Sequence, residues 1–307
     1  MTEDSPYFLA YFSDGLVHTT RYLSQAEYDE AVSALSIVND LWSDYQLLSI
    51  CTLNLQSYNQ ALEKFSTYAK EEEEILSVDH SSFALDMNRH LINFLNSFKM
   101  FLDHLMYTIT HRYGKDSDVL SQYEESTKQQ FDNVLAYRFI SKLRDYSQHC
   151  SMPIHITTIT IPTKSSNGNI ARKLEIFLLR DKLLRDFDGW GAVVKRDIPK
   201  LPENIEIDPY LPAALSSLGV IFKEYVISRW PSIVESCRLV TRLAGENSSR
   251  LAIYCPPDRS SYEQSDVACE EEEEALTYEE DRITWDRLQL PVDELSKVLE
   301  YLGFNLD

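Results

Sequence analysis

A mainly α protein is the fold class this 307-residue sequence predicts: an antiparallel helical bundle with an inserted β-hairpin and additional C-terminal helices. Three observations point there. No Pro or Gly interrupts residues 16–113, and apolar residues recur through that stretch every three or four positions, the spacing of one helix face. From Ile154 to Leu179 the pattern turns to β-branched and apolar residues on either side of Ser165-Ser166-Asn167-Gly168-Asn169, the composition of a hairpin. Residues 212–245 then return to helical spacing. A hydrophobic share of 44% is enough for a sizeable core, and roughly 150 residues per domain gives about two domains.

Taken in order, Tyr7-Phe8-Leu9-Ala10-Tyr11-Phe12 reads as a short strand or a packed segment of an N-terminal arm, residues 1–23. Ser24 followed by Glu27 is a capping box, in which each side chain satisfies an amide that the first helical turn leaves unpaired. Ala31, Leu35, Val38, Leu41 and Trp42 follow at helical spacing, and the helix is expected to run, bent or broken, to about Lys70. The four Glu at 71–74 and Ser77-Val78-Asp79-His80 mark a turn, with Ser81 or Ser82 capping the next helix. Phe83, Met87, His90, Leu91, Phe94, Leu95, Phe98, Leu102 and Leu105 give that helix a broad apolar stripe. Gly114 stops it, with His111 and Arg112 in a last turn that favours cations. A helix pair over about 116–149 completes a bundle spanning 24–150.

Pro153 ends the last bundle helix. Residues 151–255 read as the hairpin plus helices packing on the bundle: helices near 181–190 and 191–198, a loop over 200–212, a helix over 212–245 and a short strand at 251–254. Residues 256–307 read as an acidic linker, with five consecutive Glu at 270–274, and one terminal helix.

The net charge of -20 is unevenly placed. Residues 1–150 carry 11 Lys/Arg against 22 Asp/Glu, residues 151–255 carry 14 against 11, and residues 256–307 carry 4 against 16. Such a chain does not attract nucleic acid indiscriminately, because phosphate affinity comes from Lys and Arg. The cysteines, Cys51, Cys150, Cys237, Cys255 and Cys269, are odd in number and scattered, which fits a reducing cytosol better than a disulfide framework or a zinc site. No window approaches the ~18 consecutive apolar residues that span a bilayer, and the acidic first residues lack the basic and apolar pattern of a secretory leader. The expectation is a cytoplasmic protein without membrane, metal or cofactor.

The segment with most chemistry is Arg144-Asp145-Tyr146-Ser147-Gln148-His149, an R-x4-H pattern with an acid directly after the Arg, late in an apolar helix. Positions four apart share a helix face, so Asp145 can hold the His149 imidazole in one tautomer. Arg144 lies five positions from His149, about 140° around the helix. One helix therefore cannot converge both on one phosphate, whereas helices from two subunits can. The plainer alternative makes Arg144 and Asp145 surface ion pairs and His149 a helix C-terminal cation.

On these residues, and over roughly 24–150, the chain resembles the HEPN superfamily, helical domains of which many are ribonucleases in toxin–antitoxin, abortive-infection and CRISPR systems. The resemblance implies a homodimer with its site at the subunit interface, and RNA cleavage without a metal to a 2′,3′-cyclic phosphate. His149 would transfer the proton of the 2′-OH or of the departing 5′-oxygen, and Arg144 would stabilise the phosphorane by bidentate contact. Arg138, seven residues before Asp145, would add a phosphate contact. Arg172 and Lys173, with the clusters Arg180-Lys182-Arg185 and Lys195-Arg196-Lys200, either cradle the RNA backbone or are solvated faces. The acidic run at 270–274 either lies across that basic surface or stays solvated. The expected function is a bacterial defence or toxin–antitoxin endoribonuclease, with RNA as substrate and an antitoxin or other protein as partner. The competing class is a non-catalytic helical interaction module. The sequence has no H-E-x-x-H, no G-x-S-x-G, no phosphate-binding P-loop and no G-x-G-x-x-G.

Overall fold

The computed structural model describes residues 6–13, 16–68, 80–160, 173–244, 251–255, 286–289 and 292–303. In chain order the elements are β1 (Tyr7–Ser13), β2 (Leu16–Leu23), α1 (Gln25–Tyr68), α2 (His80–Tyr113), α3 (Asp118–Asn133), α4 (Leu135–His149), β3 (Ile156–Thr160), β4 (Lys173–Leu179), α5 (Arg180–Asp186), α6 (Gly191–Asp197), β5 (Asn204–Glu206), α7 (Tyr210–Ser228), α8 (Trp230–Ala244), β6 (Leu251–Cys255), β7 (Asp286–Gln289) and α9 (Val292–Leu302), with a 3-10 turn at Ile198–Lys200. The protein is mainly α, with the bundle, hairpin and C-terminal helices that the sequence predicts. Two compact units divide it: Met1–Ser43 with Trp230–Asp307, and Asp44–Arg229. This division differs from the four consecutive segments read from the sequence, because the first unit is assembled from two distant stretches.

In the first unit β1 and β2 form an antiparallel hairpin, with a register shift between Leu9 and Ala10. The N-terminal arm is therefore part of a four-stranded sheet in the order β2-β1-β6-β7. Ala10 and Ala252 are buried in it with Phe8 against them, and the Tyr7 and Tyr28 rings stack at 3.9 Å. Ala31, Leu35, Val38 and Leu41 of α1 are buried, as are Ile233, Cys237 and Val240 of α8 and Val298 and Leu299 of α9. The capping box forms as expected: the Ser24 amide donates to Glu27 Oε2 at 2.8 Å and the Glu27 amide donates to Ser24 Oγ at 3.3 Å. The Arg21 guanidinium is a further donor to the Glu27 carboxylate, at 2.8 Å. The Ser24 backbone amide first, then Arg21, hold the Glu27 carboxyl down at about 2.

The second unit holds the rest of α1, and α2, α3, α4 and α7. Phe94, Phe98 and Phe101 of α2, Phe139, Ile140 and Leu143 of α4, and Leu218, Ile221 and Phe222 of α7 are fully buried. Helix α7 packs against α3 and α4. By length and composition it is the one described helix apolar enough to cross a bilayer, yet Leu211, Leu218, Phe222 and Val226 lie inside this unit. A small sheet, β3-β4-β5, carries the expected hairpin.

Five details depart from the sequence reading. Helix α1 runs unbroken for 44 residues. Helix α2 begins at His80, ahead of both serines expected to cap it. The 200–212 loop contains β5, paired with β4 from Phe177↔Glu206 to Leu179↔Asn204. The helix expected over 212–245 is two helices separated at Arg229. Residues 256–285, including the five Glu, lie outside the described residues, but Asp286–Gln289 is a strand paired with β6 and not part of a linker.

Candidate functional site

Helix α4 positions the motif. Its inward face is Ala136, Tyr137, Phe139, Ile140, Leu143 and Tyr146, which leaves Arg144 and Gln148 on one flank. Both line an open cleft of about 610 Å³ with Ile50 and Asn54 of α1 and, from α2, Asn93, Asn96, Ser97, Lys99, Met100, Asp103 and His104. The α2 side of the cleft follows from helical spacing. Phe94, Phe98, Phe101 and Leu105 face the core, so the positions beside them, 93, 96–97 and 103–104, form an adjacent polar stripe, with Met100 as its apolar member.

The cleft is rich in carboxamides and carries charges of both signs. Gln148 Nε2 donates to Asn96 Oδ1 at 2.9 Å, and Asn54 Nδ2 donates to the Asn93 carbonyl at 3.4 Å. Lys99 and Asp103 form an ion pair. The Arg144 side chain is 28% exposed, with one terminal nitrogen 3.5 Å from Asp145 Oδ1, while its Nε is buried without a hydrogen-bond partner. A buried unpaired N–H is costly, on the order of 1–3 kcal/mol. Below, Cys51 is buried, and burial pushes its thiol up to about 12, which makes it an inert packing group.

The other expected site residues have different surroundings. Asp145 does not orient His149: its Oδ2 accepts from Lys142 at 3.0 Å and its Oδ1 faces Arg144. His149 is exposed at the end of α4, outside the cleft, as the 140° separation from Arg144 requires. Arg138 is not available to a phosphate. Its Nε donates to Asp197 Oδ2 at 2.8 Å and its Nη1 to the carbonyls of Phe131 and Asp132. Lys173 lies in β4 with its side chain outside the described set, and Arg172 lies outside the described residues altogether. Several of the remaining basic residues are paired: Arg180 with Asp181, Lys182 and Arg185 with Asp186, Lys195 with Asp188 and Lys200 with Asp197.

Sequence reading missed a second polar group beside the motif. Tyr146 is fully buried, and its hydroxyl lies 3.1 Å from His155 Nε2. His155 Nδ1 accepts from the Leu179 amide at 2.9 Å, so in the neutral ring Nε2 carries the proton and donates to Tyr146. Burial, assisted by nearby Lys182, lowers the His155 pKa to about 4. The chain after α4 is fixed further by the amide of Ile154, which donates to the buried Asn88 Oδ1 at 3.0 Å. His155 lies only six residues past the motif, but its partners, Leu179 and Tyr146, gave no spacing signal.

Among the described residues no three His, Cys, Asp or Glu side chains are grouped as metal ligands. No family model, no curated protein and no solved structure matches the chain.

Proposed function

We propose that this protein is a HEPN-like endoribonuclease of a bacterial defence or toxin–antitoxin system, with Arg144 as its phosphate-binding residue. The observation that carries the reading is the place of Arg144: a partly exposed guanidinium on the wall of a polar cleft. A guanidinium in that state favours the charge that builds on a pentacoordinate phosphorus. In the reaction a base takes the proton of the ribose 2′-OH, O2′ bonds to phosphorus, and the P–O5′ bond breaks as an acid protonates O5′. The products are a 2′,3′-cyclic phosphate and a 5′-hydroxyl. His149 is the residue of the motif suited to one of these proton transfers. It diverges from Arg144 on the same helix, so the reading requires a homodimer in which His149 of the partner subunit approaches the phosphate.

The test is incubation of the full chain with single-stranded RNA, with and without EDTA. Cleavage that persists in chelator and leaves cyclic phosphate ends is expected; intact RNA in both arms would refute it. Arg144→Ala and His149→Ala should each lower the rate by roughly 10²–10³, and mixing the two variants should restore part of it. Light scattering should report a dimer.

A second reading, a non-catalytic helical interaction module, is favoured by the neighbours of the motif. Asp145 is engaged by Lys142 and Arg144, Arg138 is engaged by Asp197, and among the described residues no hydrogen bond orients the exposed His149. Under that reading RNA stays intact, and alteration of His149 has no functional effect.

A further inference from the structure

We propose that the cleft between α1, α2 and α4 receives one unpaired nucleotide of an RNA strand, with its phosphate on Arg144 and its base edge on the Asn96–Gln148 amide pair. The proposal deepens the ribonuclease reading by naming what the site holds, and it rests on that reading for the identity of the polymer. Its own support is the chemistry of the lining.

The amide pair is polarised by its internal bond. Gln148 Nε2 donates to Asn96 Oδ1, which leaves Asn96 Nδ2 as a donor and Gln148 Oε1 as an acceptor. A donor beside an acceptor is the complement of a nucleobase edge, and an unstacked base offers that edge freely, whereas a duplex does not. Ile50, 39% exposed, and Met100 supply apolar surface for the base face within the same cleft. Arg144 stands one helical turn before Gln148, about 6 Å along the axis, a separation that one nucleotide covers from phosphate to base. The volume of about 610 Å³ suits a ligand of nucleotide size and excludes a double helix. Charge argues in the same direction. The Lys99–Asp103 ion pair neutralises its part of the wall, so the anion is drawn to the partly exposed guanidinium of Arg144.

The experiment is calorimetric titration of the full-length protein at low salt with the four nucleoside 3′-monophosphates and, separately, with inorganic phosphate. Nucleotides should bind about tenfold more tightly than phosphate. Arg144→Ala should weaken both ligands about tenfold, the loss expected for a charge-assisted hydrogen bond. Gln148→Ala and Asn96→Ala should weaken the nucleotides several-fold and leave phosphate unchanged. Lys128→Ala, on α3 and away from the cleft, should change nothing. Gln148 is exposed, so its replacement does not threaten folding, and circular dichroism checks each variant. Equal affinity for nucleotide and phosphate, indifference to Gln148→Ala, or no nucleotide binding at 10-millimolar order would each overturn the proposal. The two readings fail separately. Nucleotide binding without RNA cleavage sinks the ribonuclease and leaves the cleft assignment standing, whereas cleavage without nucleotide binding does the reverse.

Discussion

Asp44 is 2% exposed, and its position is tolerable because of its partners. Arg112 Nη1 and the Tyr225 hydroxyl each donate to Oδ2 at 2.9 Å, and Arg229 Nη1 donates to the Tyr225 oxygen at 2.7 Å. Burial raises the Asp44 pKa, against the pull of Arg112. Removing one member of a buried charge network strands the others, at roughly 3–5 kcal/mol. Asp44→Ala should therefore lower the denaturation midpoint sharply, and unchanged stability in urea would show that the network contributes nothing. His155 makes a second prediction. Its folded pKa lies below its usual 6.5, at about 4, so the folded state resists protonation. The stability it supports is complete above pH 6.5 and falls as pH drops from 6.5 towards 4, by at most about 1.4 kcal/mol per pH unit. His155→Gln should lose that slope, and the imidazole resonances of the native protein should titrate near pH 4. At this scale the sequence showed part of the site. The divergence of Arg144 and His149 followed from 3.6 residues per turn. The capture of Arg138 by Asp197 did not, because 59 residues separate them and no local pattern encodes the meeting.

Elements were legible in proportion to their length and punctuation. The box at Ser24 and Glu27 marked where α1 begins, and Ser24→Ala should cost about 1 kcal/mol of stability, measurable in chemical denaturation. Gly114, at a φ of 90°, closes α2 in the left-handed conformation. Its amide donates to the Thr110 carbonyl at 3.0 Å. Gly114→Ala meets no steric neighbour, so its destabilisation should be confined to backbone strain, about 1 kcal/mol. By contrast β5 is three residues, Asn204–Glu206, too short to show an alternation. It exists because β4 offers an edge, and that edge cannot be read from the three residues themselves. The interruption at Arg229 did have a sequence signal that the reading passed over: Pro231, in the first turn of α8, has no amide to continue the hydrogen-bond ladder from α7. The Arg229 side chain turns inward to Tyr225 while lying over the Tyr113 and Tyr225 rings.

For the whole molecule, the two-unit division changes what a truncation means. Removing everything after Pro257 deletes β7 and α9, which belong to the first unit. The shortened chain should lose protection of β6 and α8 amides from hydrogen exchange, while the buried Trp190 of the second unit keeps its emission. Loss of both signals together would show that the units fold as one. The charge of residues 270–274 is therefore better tested by replacing the five Glu with Gln. Lys195 and Lys200 already have Asp188 and Asp197 as partners, so RNA affinity at low salt should not change. A rise that fades with added salt would place the acidic run on a basic surface. The boundaries of the units escaped sequence reading because the pairing that defines the first one joins residues more than two hundred positions apart.

That pairing also sets a clock. Strand β1 holds β6 in register from Phe8↔Tyr254 to Tyr11↔Leu251, so during synthesis the inner edge of β1 waits for a partner about 240 residues downstream. At roughly 5–20 residues per second, the ribosome takes on the order of 10–50 seconds to deliver it. The intervening bundle has time to fold first, and throughout that interval an aromatic strand with one open edge is the nascent chain's point of exposure to aggregation and to chaperones.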